Sequence, residues 1–306
     1  MSRTGWAAFA AMSVLWGGSY LLIEIAERGG MSAIWVAWLR VVIAAVVLMA
    51  LAARAGTLGT LRGRWRGIVA YAVIEVSLPF PLIATGEVHV ASSLTAIIIA
   101  AVPLFGALLA LRFDHDERPT RTRAAGLGLG FAGVIVLVGL DVAGSTAELI
   151  GAGAILLAAL GYAIGPMLVK HALAGLDPRA MMGSSLAIAA VILTPPALLD
   201  PPPGRVDAGA IVCVVALGLV CTAAAFVIFA VLIREAGPAR ATVITYVNPV
   251  VALGLGVGLE SEWAGGVDYT AIVGLALILA GSWLATAGAG GRRLPRWARR
   301  QAGSVR

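Results

Sequence analysis

Apolar residues occur along the chain in ten long stretches that are separated by short polar segments. A helix needs about 20 predominantly apolar residues to cross the hydrocarbon core of a bilayer, and each stretch approaches or exceeds that length. The predicted spans lie near residues 5–26, 31–53, 67–86, 91–111, 123–140, 147–169, 178–199, 208–233, 239–259 and 269–289. The pattern predicts an all-α integral membrane protein with ten transmembrane helices. No loop is long enough for a separate soluble domain.

The basic residues alternate from one side of the predicted membrane to the other. With the amino terminus placed inside, two of the 22 Lys and Arg residues (Arg28 and Arg205) fall in outer segments. One more, Arg40, lies within a span, which leaves 19 on the inner side. This bias favours an even number of spans with both termini cytoplasmic. It also explains the net charge of +6, so membrane lipid is an expected partner and nucleic acid is not.

The chain matches itself without gaps when it is shifted by 146 residues. Pro103 falls on Pro249, Ala91-Ser92-Ser93 falls on Gly237-Pro238-Ala239, and Trp16-Gly17 falls on Tyr162-Ala163. We therefore predict a first five-helix repeat over residues 1–146, and a second over residues 147–306 that ends in a basic cytoplasmic tail. Because five is odd, the second repeat enters the membrane from the opposite face, an arrangement that recurs in secondary transporters. A structural duplication without transport is the alternative.

Motifs in both halves are similar to those of EamA-type members of the drug/metabolite transporter superfamily. They are Trp16-Gly17-Gly18-Ser19-Tyr20, Arg40, Ala91-Ser92-Ser93 with Pro103, Glu117-Arg118-Pro119, Tyr162-Ala163, Gly237-Pro238-Ala239, Asn248-Pro249, Glu260 and Glu262. The resemblance covers roughly residues 6–288. It implies a bacterial inner-membrane carrier with spans one, three, four, six, eight and nine around a central cavity, and spans five and ten outside it. It also implies export of metabolites such as amino acids, aromatic ones included. Leu186 stands where the second repeat would match Arg40.

Two charged residues, Arg40 and Glu75, lie deep within predicted spans, where charged side chains are costly and point to function. The two are predicted either to form an ion pair, which would lower that cost, or to act separately. In the second case, Glu75 would carry a proton or contact a substrate amine. Pro79 and Pro81 follow Glu75 and predict an irregular third span, since broken membrane helices occur where they line a cavity or pack on neighbours.

Other polar and aromatic residues form stripes that predict a binding cavity. On span one, Ser13, Trp16, Tyr20 and Glu24 share a helix face. Trp16 and Tyr20 are suited to stacking on an aromatic or cationic substrate. The predicted substrate-binding residues are Trp16, Tyr20, Tyr71, Glu75, Thr95, Tyr162, Thr245, Tyr246 and Asn248. Plain helix packing is the alternative for the aromatic residues, and a hydroxyl bonded to its own helix is the alternative for the threonines.

Signals for catalysis or cofactor binding are absent from the sequence. It has no Walker A motif, and its three histidines, His89, His115 and His171, fall in loops on alternating sides of the membrane. We therefore expect no enzyme activity, no cofactor and no metal. The sequence predicts a secondary transporter that exports small metabolites, amino acids above all, by alternating access. Export of drugs or nucleosides, and a membrane protein without transport activity, are the alternatives. Energy coupling and oligomeric state stay open.

Overall fold

The computed structural model describes residues 3–113, 120–141, 145–202, 204–236 and 269–286, together with positions 244, 245, 247, 248 and 251. Every regular element within these ranges is helical, which confirms the predicted all-α class. Six helical stretches are long and apolar enough to cross a membrane, and they coincide with predicted spans one, two, three, six, seven and eight. Shorter apolar helices coincide with spans four, five and ten. Most of span nine lies outside the described residues, so the count of ten stays a prediction.

The helices follow one another with short connections. The first half contains α1 (Arg3–Arg28), α2 (Ala33–Arg54), a 3₁₀ turn (Thr57–Leu61), α3 (Trp65–Tyr71), a first π segment (Ala72–Ser77), α4 (Pro79–Glu87), α5 (Ser92–Ile99), α6 (Val102–Phe113) and α7 (Arg121–Asp141). The second half contains α8 (Thr146–His171), α9 (Pro178–Leu199), α10 (Ala208–Gly218), a second π segment (Leu219–Ala224), α11 (Ala225–Ala236) and α12 (Tyr269–Thr286).

The beginnings of α8 and α9 are set by local sequence. Ser145 caps α8 by accepting a hydrogen bond from the backbone N–H of Glu148, in the Ser-x-x-Glu spacing of a capping box. Asp177 caps α9 by accepting from the backbone N–H groups of Arg179 and Ala180. Pro178 occupies the first position of α9, where its missing N–H has no helical partner to lose.

Spans three and eight each contain a π segment, in which the backbone bonds to the fifth rather than the fourth preceding residue. In each span a hydroxyl group bonds the carbonyl five residues before it. Ser77 Oγ donates to Ala72 O at 2.9 Å, and Thr222 Oγ1 donates to Leu217 O at 2.8 Å. The irregular turn predicted in span three is therefore present, and span eight contains a second one that the sequence did not indicate.

The helices pack in pairs that join the two halves of the chain. α2 packs along α9, where Trp38 Nε1 donates to Thr194 Oγ1 at 3.0 Å. α7 packs along α12, with Gly130 and Gly281 in direct backbone contact. α4 packs on α8, and α1 packs on α10 and α11. Small residues at helix contacts allow such close approach in a membrane.

Candidate functional site

A cavity lies between helices of the bundle. Its walls come from both halves of the chain: α1, α2, the first π segment, α4, α5, α6, α8, the second π segment, α11 and residues 244–248. The empty space between these walls, counted together with the open solvent at its mouth, is about 750 Å³. It is lined by Trp16, Ser19, Tyr20, Ile23, Arg40, Glu75, Phe80, Ile83, Ile99, Val102, Tyr162, Pro166, Cys221, Phe226, Phe229, Ile244, Thr245 and Asn248.

One wall of the cavity is aromatic. Trp16 of α1 meets Phe229 of α11 with ring centroids 4.9 Å apart, and meets Phe226 at 6.1 Å in an edge-to-face arrangement. The two phenylalanines are three residues apart, so they share one helix face. Aromatic pairs in these geometries hold each other in place. The wall therefore presents a fixed apolar surface to a ligand.

Glu75 lies in the first π segment and is 4% exposed. Its side chain reaches α8 at Gly165, where a Cβ atom would occupy the position of the carboxylate. One turn earlier, a Cβ atom at Gly161 would lie 2.5 Å from Ile74 O. These two glycines form a Gly-x-x-x-Gly motif that lets the π segment approach α8 closely. Glu75 Oε2 has no hydrogen-bond partner among the described residues.

Arg40 is 8% exposed and is held by two contacts. Its Nε donates to Thr222 Oγ1 of the second π segment at 3.2 Å, and its guanidinium carbon lies 4.3 Å from the centre of the Phe80 ring. No ion pair joins Arg40 and Glu75, although both side chains are described. The predicted pairing is thus absent from this structure, because Arg40 is directed to Thr222 and Phe80 while Glu75 is directed to Gly165.

The structure brings most of the predicted binding residues together. Trp16, Tyr20, Glu75, Tyr162, Thr245 and Asn248 all line the cavity. Asn248 is 1% exposed, and its Oδ1 has no hydrogen-bond partner within the described ranges. The backbone carbonyl of Asn248 packs against Gly17 of α1. A Cβ atom at Gly17 would lie 3.0 Å from Asn248 O. Span nine therefore approaches span one closely beside Trp16.

Of the predicted residues that the structure describes, Tyr71 and Thr95 are not among those that line the cavity. Tyr71 is 1% exposed and packs in an apolar cluster that includes Val41, Leu48 and Ile68. Thr95 is fully buried in α5, where its hydroxyl has no partner in the described structure. Tyr246 lies outside the described residues. The remaining members of the span-one stripe are satisfied locally: Ser13 donates to Phe9 O at 2.9 Å, and Glu24 pairs with Arg28.

Two cavity-lining residues, and the threonine that holds Arg40, were not predicted from the sequence. Phe226 and Phe229 stand in a continuously apolar span, where nothing distinguishes a cavity-facing ring from a lipid-facing one. Thr222 was missed because a lone threonine in a membrane helix is usually bonded to its own helix. It does make that bond, and it accepts from Arg40 as well. Within the described ranges, no three His, Cys, Asp or Glu side chains converge to hold a metal.

A bundle of apolar helices around a cavity, with charged side chains inside the span region, is typical of membrane transport proteins. The sequence profile of the EamA-like transporter family matches residues 3–139 and again residues 149–287. The two matches together cover most of the chain. The protein therefore belongs to the EamA-like transporter family, a family of membrane carriers rather than enzymes.

Full-length relatives have similar sequences. The chain is 28% identical to the "Uncharacterized inner membrane transporter YedA" of Escherichia coli K12 over 274 residues, which is 87% of this chain and 86% of the relative. It is 29% identical to the "Probable terminal-alkyne amino-acid exporter" of Streptantibioticus cattleyicolor over 305 residues, 96% of each chain. A crystal structure of another protein shares the fold, with a TM-score of 0.68 over 93% of this chain and 98% of its own, at 20% identity.

Proposed function

We propose that this protein is a secondary transporter of a bacterial inner membrane that exports small metabolites, most specifically amino acids, aromatic ones included. The relative named as an amino-acid exporter supports this substrate class. The cavity supports it as well, because it combines an aromatic wall with two charged side chains. Trp16, Tyr20 and Tyr162 would hold the apolar part of the substrate, and Glu75 with the span-nine polar groups Thr245 and Asn248 would meet its charged ends.

Transport would proceed by alternating access between two inverted five-helix halves. The family profile matches twice, at residues 3–139 and 149–287, which supports a division near residues 1–146 and 147–306. The packing supports a two-fold relation: span two packs on seven, five on ten, three on six, and eight on one. A two-fold axis that relates the first five spans to the second five maps the pairs two–seven and five–ten onto themselves. It exchanges the pair three–six with the pair eight–one. Two halves related in this way can rock about a cavity at their interface.

The observation that carries the proposal is the carboxylate of Glu75. It lines the cavity, and its Oε2 has no hydrogen-bond partner in the described structure. A buried polar atom without a partner is costly unless a ligand or a proton satisfies it. A substrate amine or a coupled proton would do so. We therefore assign Glu75 the role of binding the substrate amine or the coupled proton during transport.

The test is transport by purified protein in liposomes with labelled aromatic and aliphatic amino acids, with and without a pH gradient. Trp16→Ala and Glu75→Gln should each lower the transport rate. For Glu75→Gln we expect about tenfold or more, the size of a lost hydrogen bond to a charged group. Trp6→Ala removes a 60% exposed tryptophan from the same helix, and it should leave the rate unchanged.

Two results would overturn the proposal. One is transport that is identical in wild type, Trp16→Ala and Glu75→Gln. The other is a wild-type protein that moves no amino acid in the panel. In that case drugs and nucleosides, included in the same vesicle assay, would show whether another solute is the cargo. The position of the cavity in the fold would be unaffected.

A further inference from the structure

Arg40 is an unusual side chain for the middle of an apolar span, and the proposed transport function assigns it no role. It lies in α2 and lines the cavity. Its Nε is used by Thr222, and one face of the guanidinium is used by the Phe80 ring. Thr222 is fixed in turn by its own bond to Leu217 O. The guanidinium is therefore held at its Nε edge and on one face.

The two terminal nitrogens of Arg40 remain available. In the described part of the chain, Arg40 makes no hydrogen bond other than the one from Nε to Thr222, and no carboxylate forms an ion pair with it. A guanidinium presents its N–H groups as a planar fork that fits a carboxylate with two parallel hydrogen bonds. Glu87 lies near enough to act on Arg40 electrostatically. A buried arginine without a directly paired carboxylate is costly, and an anion bound in the cavity would offset that cost. The open cavity is the place from which one can arrive.

The cavity also holds the opposite charge at a separate position. Glu75 faces α8, whereas Arg40 faces Phe80 and the second π segment. An acid and a base that line one cavity without pairing suit a ligand that itself has one positive and one negative group. A doubly charged anion such as a phosphate ester would be repelled by Glu75. A plain amine would leave Arg40 unsatisfied.

We propose that Arg40 is the carboxylate-binding residue of the cavity, positioned by Thr222 and Phe80, and that the cargo is a zwitterionic α-amino acid. This inference rests on the proposed function and narrows its substrate class. Arg40 would bind the α-carboxylate, Glu75 the ammonium group, and the Trp16 wall the side chain. The separation of the two charges would then select against amines and simple acids that have the same apolar group.

The experiment compares three ligands with one aromatic ring in common: L-phenylalanine, 2-phenylethylamine and 3-phenylpropionate. Ligand-induced thermal stabilisation of the purified protein gives an apparent Kd for each, and proteoliposomes give KM. In Arg40→Gln, affinity for L-phenylalanine and 3-phenylpropionate should fall about tenfold or more. Affinity for 2-phenylethylamine should stay the same or rise, because a like charge is removed. Arg40→Lys should recover part of the loss, and Arg205→Gln, in a loop away from the cavity, should change nothing.

A purely structural role for Arg40 predicts a different pattern. In Arg40→Gln the affinity for all three ligands would fall by the same factor. In Arg40→Lys the affinities for the two carboxylate ligands would change by the same factor as the affinity for the amine. That result would overturn the proposal. So would a wild-type protein that is stabilised by neither L-phenylalanine nor 3-phenylpropionate. Arg40→Lys keeps the test valid if Arg40→Gln does not fold.

The two proposals fail in distinguishable ways. Amino-acid transport with an unchanged KM in Arg40→Gln would refute the carboxylate site and leave the transport function standing. Absence of amino-acid transport, combined with Arg40-dependent binding of 3-phenylpropionate, would refute the amino-acid function and leave the carboxylate site standing.

Discussion

At the scale of single residues, the position of the Glu75 side chain depends on the lack of a side chain at Gly165. Gly165 leaves the space that the Glu75 carboxylate occupies, because a Cβ atom there would coincide with it. The neighbouring Gly161 similarly admits the backbone of the first π segment. The acid of the cavity is therefore placed jointly by a distortion in span three and by two glycines in span six.

We expect Gly165→Ala to move the Glu75 side chain and to lower the transport rate, although residue 165 lacks any group that could bind substrate. The atoms contacted are the flexible end of the Glu75 side chain, which can move aside without separating the helices. Gly153→Ala is the matched control, because a Cβ atom at this position of the same helix meets nothing within 4 Å. The measurement is proteoliposome transport with thermal unfolding of both variants. Equal rates in the two variants would contradict the assigned contact.

The cavity residues that could be predicted from the sequence are those that contrast with an apolar span. Arg40, Glu75 and Tyr162 have that contrast, and Phe226 has none. Tyr71 and Glu75 are four residues apart, yet only Glu75 lines the cavity. Residues four apart share a face in an α-helix, but the π segment begins directly after Tyr71 and changes the rotation per residue before Glu75. Tyr71 therefore packs in the apolar cluster while Glu75 lines the cavity.

At the scale of helices, α7 and α12 form a pair that contributes no cavity-lining residue among those described. Their contact is made by backbone atoms. A Cβ atom at Gly281 would collide with the backbone of Gly130 and with Gly126 O. Since backbone cannot rotate aside as a side chain can, any larger residue must separate the two helices.

Gly281→Ala should therefore lower stability by about 1–3 kcal/mol while leaving KM unchanged. The comparison is with Gly128→Ala on α7, where a Cβ atom meets nothing within 4 Å. The Tm in detergent and KM in liposomes of the two variants test this. A change in KM at an unchanged Tm would show that the helix pair acts on the cavity after all.

The start of α9 should respond to pH. The hydrogen bonds from Arg179 hold the pKa of the Asp177 carboxyl below its ordinary range. A lowered folded pKa means that the stabilisation is complete above the ordinary carboxyl range, near pH 4, and is lost as the pH falls through the lowered value. Asp177→Ala should cost about 1 kcal/mol at neutral pH, as expected for a lost helix cap. Unfolding curves of both proteins should converge as the pH falls through the lowered pKa of Asp177, and a difference that persists in stronger acid would refute the explanation.

The sequence revealed helix irregularity only where proline marks it. Pro79 and Pro81 follow the first π segment and predicted a break in span three. The second π segment, Leu219–Ala224, contains no proline or glycine. Its distortion is stabilised by one bond, from Thr222 to Leu217 O, and by the approach of Arg40 from another helix. Such a tertiary cause has no signature within the span itself.

At the scale of the whole molecule, the charge bias predicts the orientation in the membrane. Both termini should face the cytoplasm because the inner loops contain most of the arginines. Fluorescent-protein fusions at either terminus should fluoresce, and alkaline phosphatase fused in the outer loop after Leu199 should be active. A fluorescent insertion in that loop together with active phosphatase at the termini would reverse the assignment.

The π segments also affect how roles are transferred between homologous positions. A π segment is equivalent to an α-helix with one residue inserted, so an alignment to a relative without it needs a one-residue gap. The two segments begin at residues 72 and 219, which are 147 apart, whereas the gapless self-match of the chain uses 146. The hydroxyl bonds that mark the two segments, made by Ser77 and Thr222, are 145 residues apart. A role can therefore be carried from Glu75 to the second half only with allowance for a local shift in register.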